Sequence, residues 1–369
     1  LILGAGYAGV SAARRLAQLA DRTWSITLVD HQPAQTLQVR LADVVSGTIP
    51  AALASVPHRE LVPRRVRVLL EDITSIDLSR RRIDGCGRTV EADRILVCLG
   101  TTAADEGVPG VQEHAFRLTT SAEAGALHDR LRTAPIDAPP RAVIVGAGYT
   151  ATEVAAAIVS ARPGTRVLIT SDARTLLGLG RERLGRIAER SLRRQGVAFR
   201  LGESVSRVEH GRLVMADGTL ERADLVVWAT PSEPGALVRD AFALPPGARV
   251  PVDLHLRVRG HADVFAAGDV AAVRDARTGA LAPSNAQVAI YSGTLAAENI
   301  VAEASDGRLR ECRPRATVEV IALGPNDAVA DGFGITVRGA AARAVKNAAL
   351  ARYLYRAGGA RLAAHFLRP

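Results

Sequence analysis

The chain opens on apolar residues that run straight into a glycine loop, Ile2-Leu3-Gly4-Ala5-Gly6-Tyr7-Ala8-Gly9. About 140 residues later it does so again, in Val143-Ile144-Val145-Gly146-Ala147-Gly148-Tyr149-Thr150-Ala151. Each copy reads as a strand, a Gly-x-Gly-x-x-Gly/Ala turn and the start of a helix. The spacing has a physical reason. Gly4 permits the tight turn, Gly6 lets the backbone approach a pyrophosphate, and Gly9 lets helix and strand pack closely. The helix N-terminus then faces the phosphate charge. Ser25 to Asp30 is a second strand ending in an acid, where a carboxylate hydrogen-bonds a ribose hydroxyl. The repeat predicts two nucleotide-binding halves in one α/β chain.

Length and composition set the frame around that repeat. The 369 residues accommodate two or three domains, each able to bury its own core. Aromatic residues make up only 4%, so the cores must be aliphatic. The net charge of +9 favours anionic partners such as dinucleotides. The basic residues are nearly all Arg, Lys346 being a rare exception, and they are scattered, as on a solvated surface. Cys86, Cys98 and Cys312 match no metal site and no Cys-x-x-Cys pair, the cysteine usage of a reduced, cytoplasmic protein. No apolar run reaches the length of a spanning helix and no signal-peptide pattern is present; the start inside a strand, without Met, implies further native residues in front. The histidines form no triad and no ligand spacing, so no metal site is expected.

Along the chain, Leu37 to Gly47 reads as a short helix. Val66–Leu70, Ile73–Leu78, Arg82–Ile83 and Thr89–Val90 read as antiparallel strands with a turn at Asp84-Gly85. Asp93 to Gly100 is a buried strand containing Cys98. Thr119 to Arg132 is helical with Ser121 as its cap, and Pro135 to Pro140 is a linker. In the second half, Thr152 to Ser160, Arg166 to Thr170 and the helix Leu184 to Gln195 follow the loop. The buried strand Asp224 to Thr230 mirrors the one before Gly100. Leu254–Val258 and Val264–Val270 follow, and Ser284 with Gln287 forms a capping box for a helix reaching about Val301. Strands near Thr317–Leu323 and Gly334–Arg338 and a helix from about Ala340 to Tyr355 close the chain.

Two dinucleotide loops, Trp228-Ala229-Thr230 and Phe265-Ala266-Ala267-Gly268-Asp269, in that order over nearly the whole chain, resemble the two-dinucleotide-binding flavoprotein superfamily of FAD-dependent pyridine nucleotide oxidoreductases. Val108-Pro109-Gly110, Pro283 to Ala289 and Ile321-Ala322-Leu323-Gly324 resemble its type II NADH:quinone dehydrogenase branch. The resemblance implies two Rossmann-like domains, the second inserted into the first, plus a short C-terminal α+β segment. The expected boundaries are 1–118 and 246–312 for the FAD domain, 119–245 for the NAD(P)H domain and 313–369 for the C-terminal segment.

It further implies FAD on Gly4, Gly6, Tyr7, Ala8, Gly9 and Asp30, with Arg40, Gly100, Gly268 and Asp269 around it. The helix start at Ala286, Gln287 and Val288 would face the flavin pyrimidine, where its positive end stabilises developing negative charge. NAD(P)H would lie on Gly146, Gly148, Tyr149, Thr150 and Thr230, with Glu153 at the nicotinamide–flavin junction. Glu153 and Gln287 are thereby expected at the catalytic centre. Read without the resemblance, Glu153 is a solvated carboxylate near a helix N-terminus.

The implied activity is hydride transfer from NAD(P)H to FAD and on to a quinone-like acceptor. The alternatives are a soluble tailoring oxidoreductase acting on a small metabolite and a redox-sensing or nucleic-acid-binding flavoprotein; no nucleic-acid module supports the last. Disulfide reduction and sulfide oxidation both need cysteines near the flavin, and Leu37 to Ser46 has none. Thr170 aligns where an NAD-selective site keeps an acid, with Ser171, Asp172 and Arg174 beside it, so NAD against NADP stays open at this point. The resemblance also leaves open a homodimer and a peripheral location at the inner membrane face. The C-terminal helix carries mostly small apolar residues, which favours packing on the protein over weak contact with the membrane surface.

Overall fold

Five short strands form the first sheet, all parallel, in the order Val264–Ala266, Ile95–Val97, Ile2–Leu3, Ile26–Asp30, Val66–Leu70. The structure is a computed structural model that describes every residue except 106, 136, 179, 316–317 and 368–369. The central strands are apolar and buried, as in a sheet covered on both faces, and Ile76 and Ile83 of the antiparallel set join the same core. Val66–Leu70 pairs parallel to Ile26–Asp30 and is not part of an antiparallel set. As an edge strand it mixes buried Val66 and Leu69 with exposed Arg67 and Leu70, so its residue types alone do not tell it from an antiparallel strand. The antiparallel set is Ile73–Asp77, Arg82–Gly85 and Thr89–Glu91. Its second turn lies beyond Gly85, whose N–H reaches the Arg88 carbonyl at 2.8 Å, so Asp84-Gly85 stays within the strand.

The chain leaves the first sheet after Val97 and builds a second one before returning with Val264–Ala266. The second sheet is also parallel, in the order Ala198–Leu201, Arg166–Ser171, Arg141–Val145, Leu225–Trp228. Two Rossmann-like units, one inserted in the other, result. The helix Ser121–Thr133 is capped by Thr120 in a reciprocal box with Glu123, not by Ser121. Leu254 to Val258 forms no strand; Arg257 and Val258 make only isolated bridges, to Phe265 and Val252.

The helix Ala286–Ala304 lies against the helix Tyr7–Leu19 that follows the first glycine loop. Gly293 makes this approach possible, since a Cβ there would stand 2.1 Å from the Ala8 carbonyl oxygen. Its cap is Asn285, whose Oδ1 accepts the Val288 N–H at 2.9 Å; Ser284 lies outside the helix and Gln287 reaches toward the Val318 carbonyl at 3.5 Å. Two good N-cap residues stand side by side here, and the one whose oxygen meets the third helical N–H takes the role.

The C-terminal segment is a three-stranded antiparallel sheet, Glu319–Ala322, Ala328–Gly332 and Ile335–Arg338, followed by the helix Ala340–Phe366. Ala328–Gly332 was not anticipated, and the expected start at Thr317 lies outside the described residues. The final helix runs past Tyr355 and breaks at Gly359, φ +80°. It buries Ala342, Arg343, Leu350, Tyr353, Leu354, Ala357, Leu362, Ala363 and Phe366 against the rest of the protein. No helix among the described residues is long and apolar enough to cross a membrane.

Candidate functional site

The first loop is built by close backbone contact. Gly4 has φ +95° and its N–H donates to the Val29 carbonyl at 2.8 Å. A Cβ on Gly4 would come 2.5 Å from the Cys98 carbonyl oxygen, and one on Gly9 would come 1.8 Å from the Gly4 carbonyl oxygen. Gly6, by contrast, faces open space, with no atom within 4 Å of the Cβ it lacks. The closed glycines fix the turn and the open one leaves room for a ligand. Asp30 accepts the Ala5 N–H at 2.6 Å and the Gln32 N–H at 2.8 Å, so its carboxylate sits at the doorstep of the loop.

Gly268 brings a second approach to the same place. Its missing Cβ would lie 2.9 Å from the Ala8 methyl, and its N–H donates to Ser292 Oγ at 3.0 Å. Burial pushes the neighbouring Asp269 carboxyl above the ordinary range, partly opposed by Arg249. Gly100, φ +65°, also faces open space, just past the strand Ile95–Val97. Tyr7 is half-buried; its phenolic oxygen is buried and finds no partner among the described residues, and its ring packs edge-on to Tyr353 at 4.9 Å. Tyr353 in turn donates to Gln35 Oε1 at 2.6 Å.

Arg40 sits elsewhere than an exposed contact position. It is buried, its Nη1 donates to the Phe366 carbonyl at 2.6 Å, and its Nε lies 3.3 Å from Asp43. Asp43 also binds Arg343 of the C-terminal helix. Cys98 lies beneath the loop, and burial pushes its thiol far above the ordinary range, which removes the reactive thiolate. All three cysteines are free, and Cys312 is buried as well.

The second loop repeats the construction. Gly146, φ +126°, donates its N–H to the Thr170 carbonyl at 2.8 Å, and its absent Cβ would stand 2.2 Å from the Ala229 carbonyl oxygen and 3.0 Å from Thr230 N. Thr230 therefore borders the loop, with its hydroxyl donating to the Ala104 carbonyl at 2.7 Å. Gly148 faces open space as Gly6 does. Ala151 replaces the third glycine, fully buried, and Tyr149 and Thr150 open the helix Tyr149–Ala161.

The strand register corrects one alignment. Leu3 stands opposite Val29 in the first half, and Val145 stands opposite Thr170 in the second. Ser171, not Thr170, is thus the counterpart of Asp30. Thr170 is a fully buried strand residue.

Glu153 is not a solvated carboxylate. One turn into the second helix, its Oε1 accepts the Ala322 N–H at 2.8 Å and binds Lys346 Nζ at 2.6 Å. The two side chains are only 13% and 11% exposed. Lys346 is the only lysine in the chain. Sequence reasoning missed this partner and the Asp43–Arg343 and Gln35–Tyr353 contacts, although a single lysine among so many arginines was a signal of a special position. Ala286, Gln287 and Val288 begin their helix beside the C-terminal sheet, since Gln287 points at Val318 and Val318 packs on Gly332.

Comparison with known proteins fits this geometry. The family described as pyridine nucleotide-disulphide oxidoreductase matches residues 1–293. An NADH dehydrogenase-like protein of Mycobacterium tuberculosis is 30% identical, the match covering 96% of this chain and 94% of that protein. The demethylphylloquinone reductase NdbB of Synechocystis is 28% identical, over 96% of this chain and 91% of its own. The solved structure of NDH2 from Plasmodium falciparum in complex with NADH superposes with a TM-score of 0.83 at 13% identity, covering 99% of this chain and 96% of the other.

Proposed function

Because the chain belongs to the pyridine nucleotide-disulphide oxidoreductase family, we propose that it is an FAD-dependent oxidoreductase. In this reading it passes hydride equivalents from NAD(P)H to a quinone. The observation that carries the reading is the pair of glycine loops, each closed by contacts no side chain fits and each open at its middle glycine. The names of the relatives, an NADH dehydrogenase-like protein and a demethylphylloquinone reductase, support the donor and the acceptor class.

The residues fit FAD at the first loop. Gly4, Gly6, Tyr7, Ala8 and Gly9 would cradle the pyrophosphate at the helix N-terminus, and Asp30 has acceptor capacity left for a ribose hydroxyl. Asp269, half-buried and with its carboxyl raised, would gain hydrogen-bond donors from a polyhydroxyl chain. Bound FAD supplies the two-electron carrier that a protein side chain lacks.

This chain's own contribution is positioning and electrostatics. The N–H groups of Ala286 and Gln287 stay available, because Asn285 spends its oxygen on Val288, and they direct a positive helix end toward the flavin. Gly146, Gly148, Tyr149, Thr150 and Thr230 would hold the nicotinamide nucleotide. Glu153, locked by Lys346 and Ala322, is the positioning residue at its inner end. With Cys98 and Cys312 buried and the Cys98 thiol held protonated by burial, a dithiol relay has no place in this reading. Nor does membrane contact through the C-terminal helix, whose apolar stripe lies on protein.

Anaerobic stopped-flow mixing of the flavin-loaded protein with NADH and with NADPH tests the proposal. Bleaching of the flavin absorbance, followed by its return on adding a short-chain quinone, is expected. Failure of both nucleotides to bleach it overturns the reading, and bleaching without reoxidation by any quinone overturns the acceptor.

A further inference from the structure

The second loop differs from the first in the residue that meets the adenosine ribose. By strand register Ser171 occupies the place of Asp30. In the first half the Asp30 carboxylate holds the Ala5 N–H at 2.6 Å. In the second, Ser171 turns its hydroxyl sideways, donating to Asp172 Oδ1 at 3.2 Å and accepting the Ala173 N–H at 3.2 Å.

The backbone after Ser171 forms a wall beside the loop. Gly202 N–H donates to the Ser171 carbonyl at 2.8 Å and the Ala173 carbonyl at 3.1 Å, and Glu203 N–H donates to the Ser171 carbonyl at 2.9 Å. At the other end Leu177 N–H donates to the carbonyl of Ala147, the residue between the two loop glycines, at 2.8 Å. Residues 171 to 177 therefore span from the end of the strand back to the loop itself. Leu176 and Leu177 face inward, while Asp172, Arg174 and Thr175 are exposed along the wall.

Arg174 has no carboxylate partner among the described residues. The nearby Arg200 is taken up by Glu203 and, at 3.5 Å, by Asp217. Asp172 is the counterpart of His31, which is 60% exposed. Asp172 is exposed in the same way, so water and salt screen its charge.

An acid at the end of this strand accepts a ribose 2′-hydroxyl and repels a 2′-phosphate. A neutral residue there, with a guanidinium close by, does the reverse. We propose that the second site selects a 2′-phosphorylated dinucleotide, NADPH, with Arg174 as the principal phosphate contact and Ser171 as the residue that admits it. The inference rests on the second loop being the site of the hydride donor.

A binding experiment separates the two claims, because it needs no turnover. Calorimetry on the full chain with adenosine 2′,5′-bisphosphate and with 5′-AMP should show the bisphosphate binding at least about tenfold tighter. Arg174→Ala should erase that preference while leaving 5′-AMP affinity within about twofold. Equal binding of the two ligands, tighter binding of 5′-AMP, or an equal loss for both in Arg174→Ala overturns the proposal. In kinetics, kcat/KM for NADPH should exceed that for NADH, and Ser171→Glu should reverse the order. If neither nucleotide bleaches the flavin, the hydride-donor reading fails, and the calorimetric preference still decides this one.

Discussion

The ion pair between Glu153 and Lys346 lends itself to a quantitative test. It is short, 2.6 Å, and nearly closed to water. Removing one partner of a buried pair costs about 3–5 kcal/mol, because the other charge stays buried without compensation. In Lys346→Met, Glu153 keeps one hydrogen bond, from Ala322 N–H at 2.8 Å. That retained bond sets the expected cost at about 3 kcal/mol. In Glu153→Gln the amide oxygen still accepts from Ala322, and the ammonium faces a neutral dipole, so the expected cost is about 2 kcal/mol. The double variant leaves neither charge stranded and should lose only about 1–2 kcal/mol. The three values imply a coupling energy of about 3–4 kcal/mol. Urea unfolding of the four proteins, followed by far-UV circular dichroism, supplies the cycle. Single costs that add up to the double within about 0.5 kcal/mol would refute the argument that the pair acts as a unit.

Three further predictions concern other parts of the structure. Gly293→Ala places a methyl 2.1 Å from the Ala8 carbonyl oxygen and should destabilise by about 3 kcal/mol, with loss of bound flavin on gel filtration. Gly148→Ala meets no protein atom within 4 Å and should leave the unfolding midpoint unchanged while raising KM for the nucleotide, as steady-state assays would show. His58 is buried, with Nε2 2.9 Å from the Gln32 carbonyl and Nδ1 unpartnered, and burial lowers its pKa below the ordinary 6.5. The unfolded chain therefore takes up a proton that the folded one refuses. Stability should fall as pH drops below 6.5, by at most about 1.4 kcal/mol per pH unit, and His58→Gln should flatten that slope in urea titrations at several pH values.

The glycine loops were legible because their physical demand is local. Gly4, Gly9 and Gly146 occupy positions where a Cβ collides with backbone, and no other residue type fits there. The two parallel sheets followed from the same repeat. The place of Ser171 was not legible. The apolar run Val167-Leu168-Ile169 ends before Thr170, yet Thr170 is fully buried and the strand runs on to Ser171. A threonine methyl can extend a core that the pattern of apolar letters has already left.

The choice of Asn285 over Ser284 as cap was invisible for a related reason, since both residue types serve and only the path of the chain decides. The contacts of the final helix were hidden most deeply. Arg343, Lys346 and Tyr353 look like a polar face in sequence. They turn inward because Asp43, Glu153 and Gln35, all far away along the chain, wait for them.

Those three contacts have a mechanical meaning. Gln35 belongs to the first Rossmann-like unit and Glu153 to the second, Asp43 lies in a short helix whose Leu41, Ala42, Val44 and Val45 pack into the second unit's core, and one helix is bolted to all three. A pair of domains meant to swing about a hinge keeps few buried ties across the gap. Here the helix acts as a strut that holds the spacing between the two dinucleotide cradles. In such a frame small molecules exchange without the two units having to part, so added viscogen should slow nucleotide entry and exit while leaving the hydride step untouched.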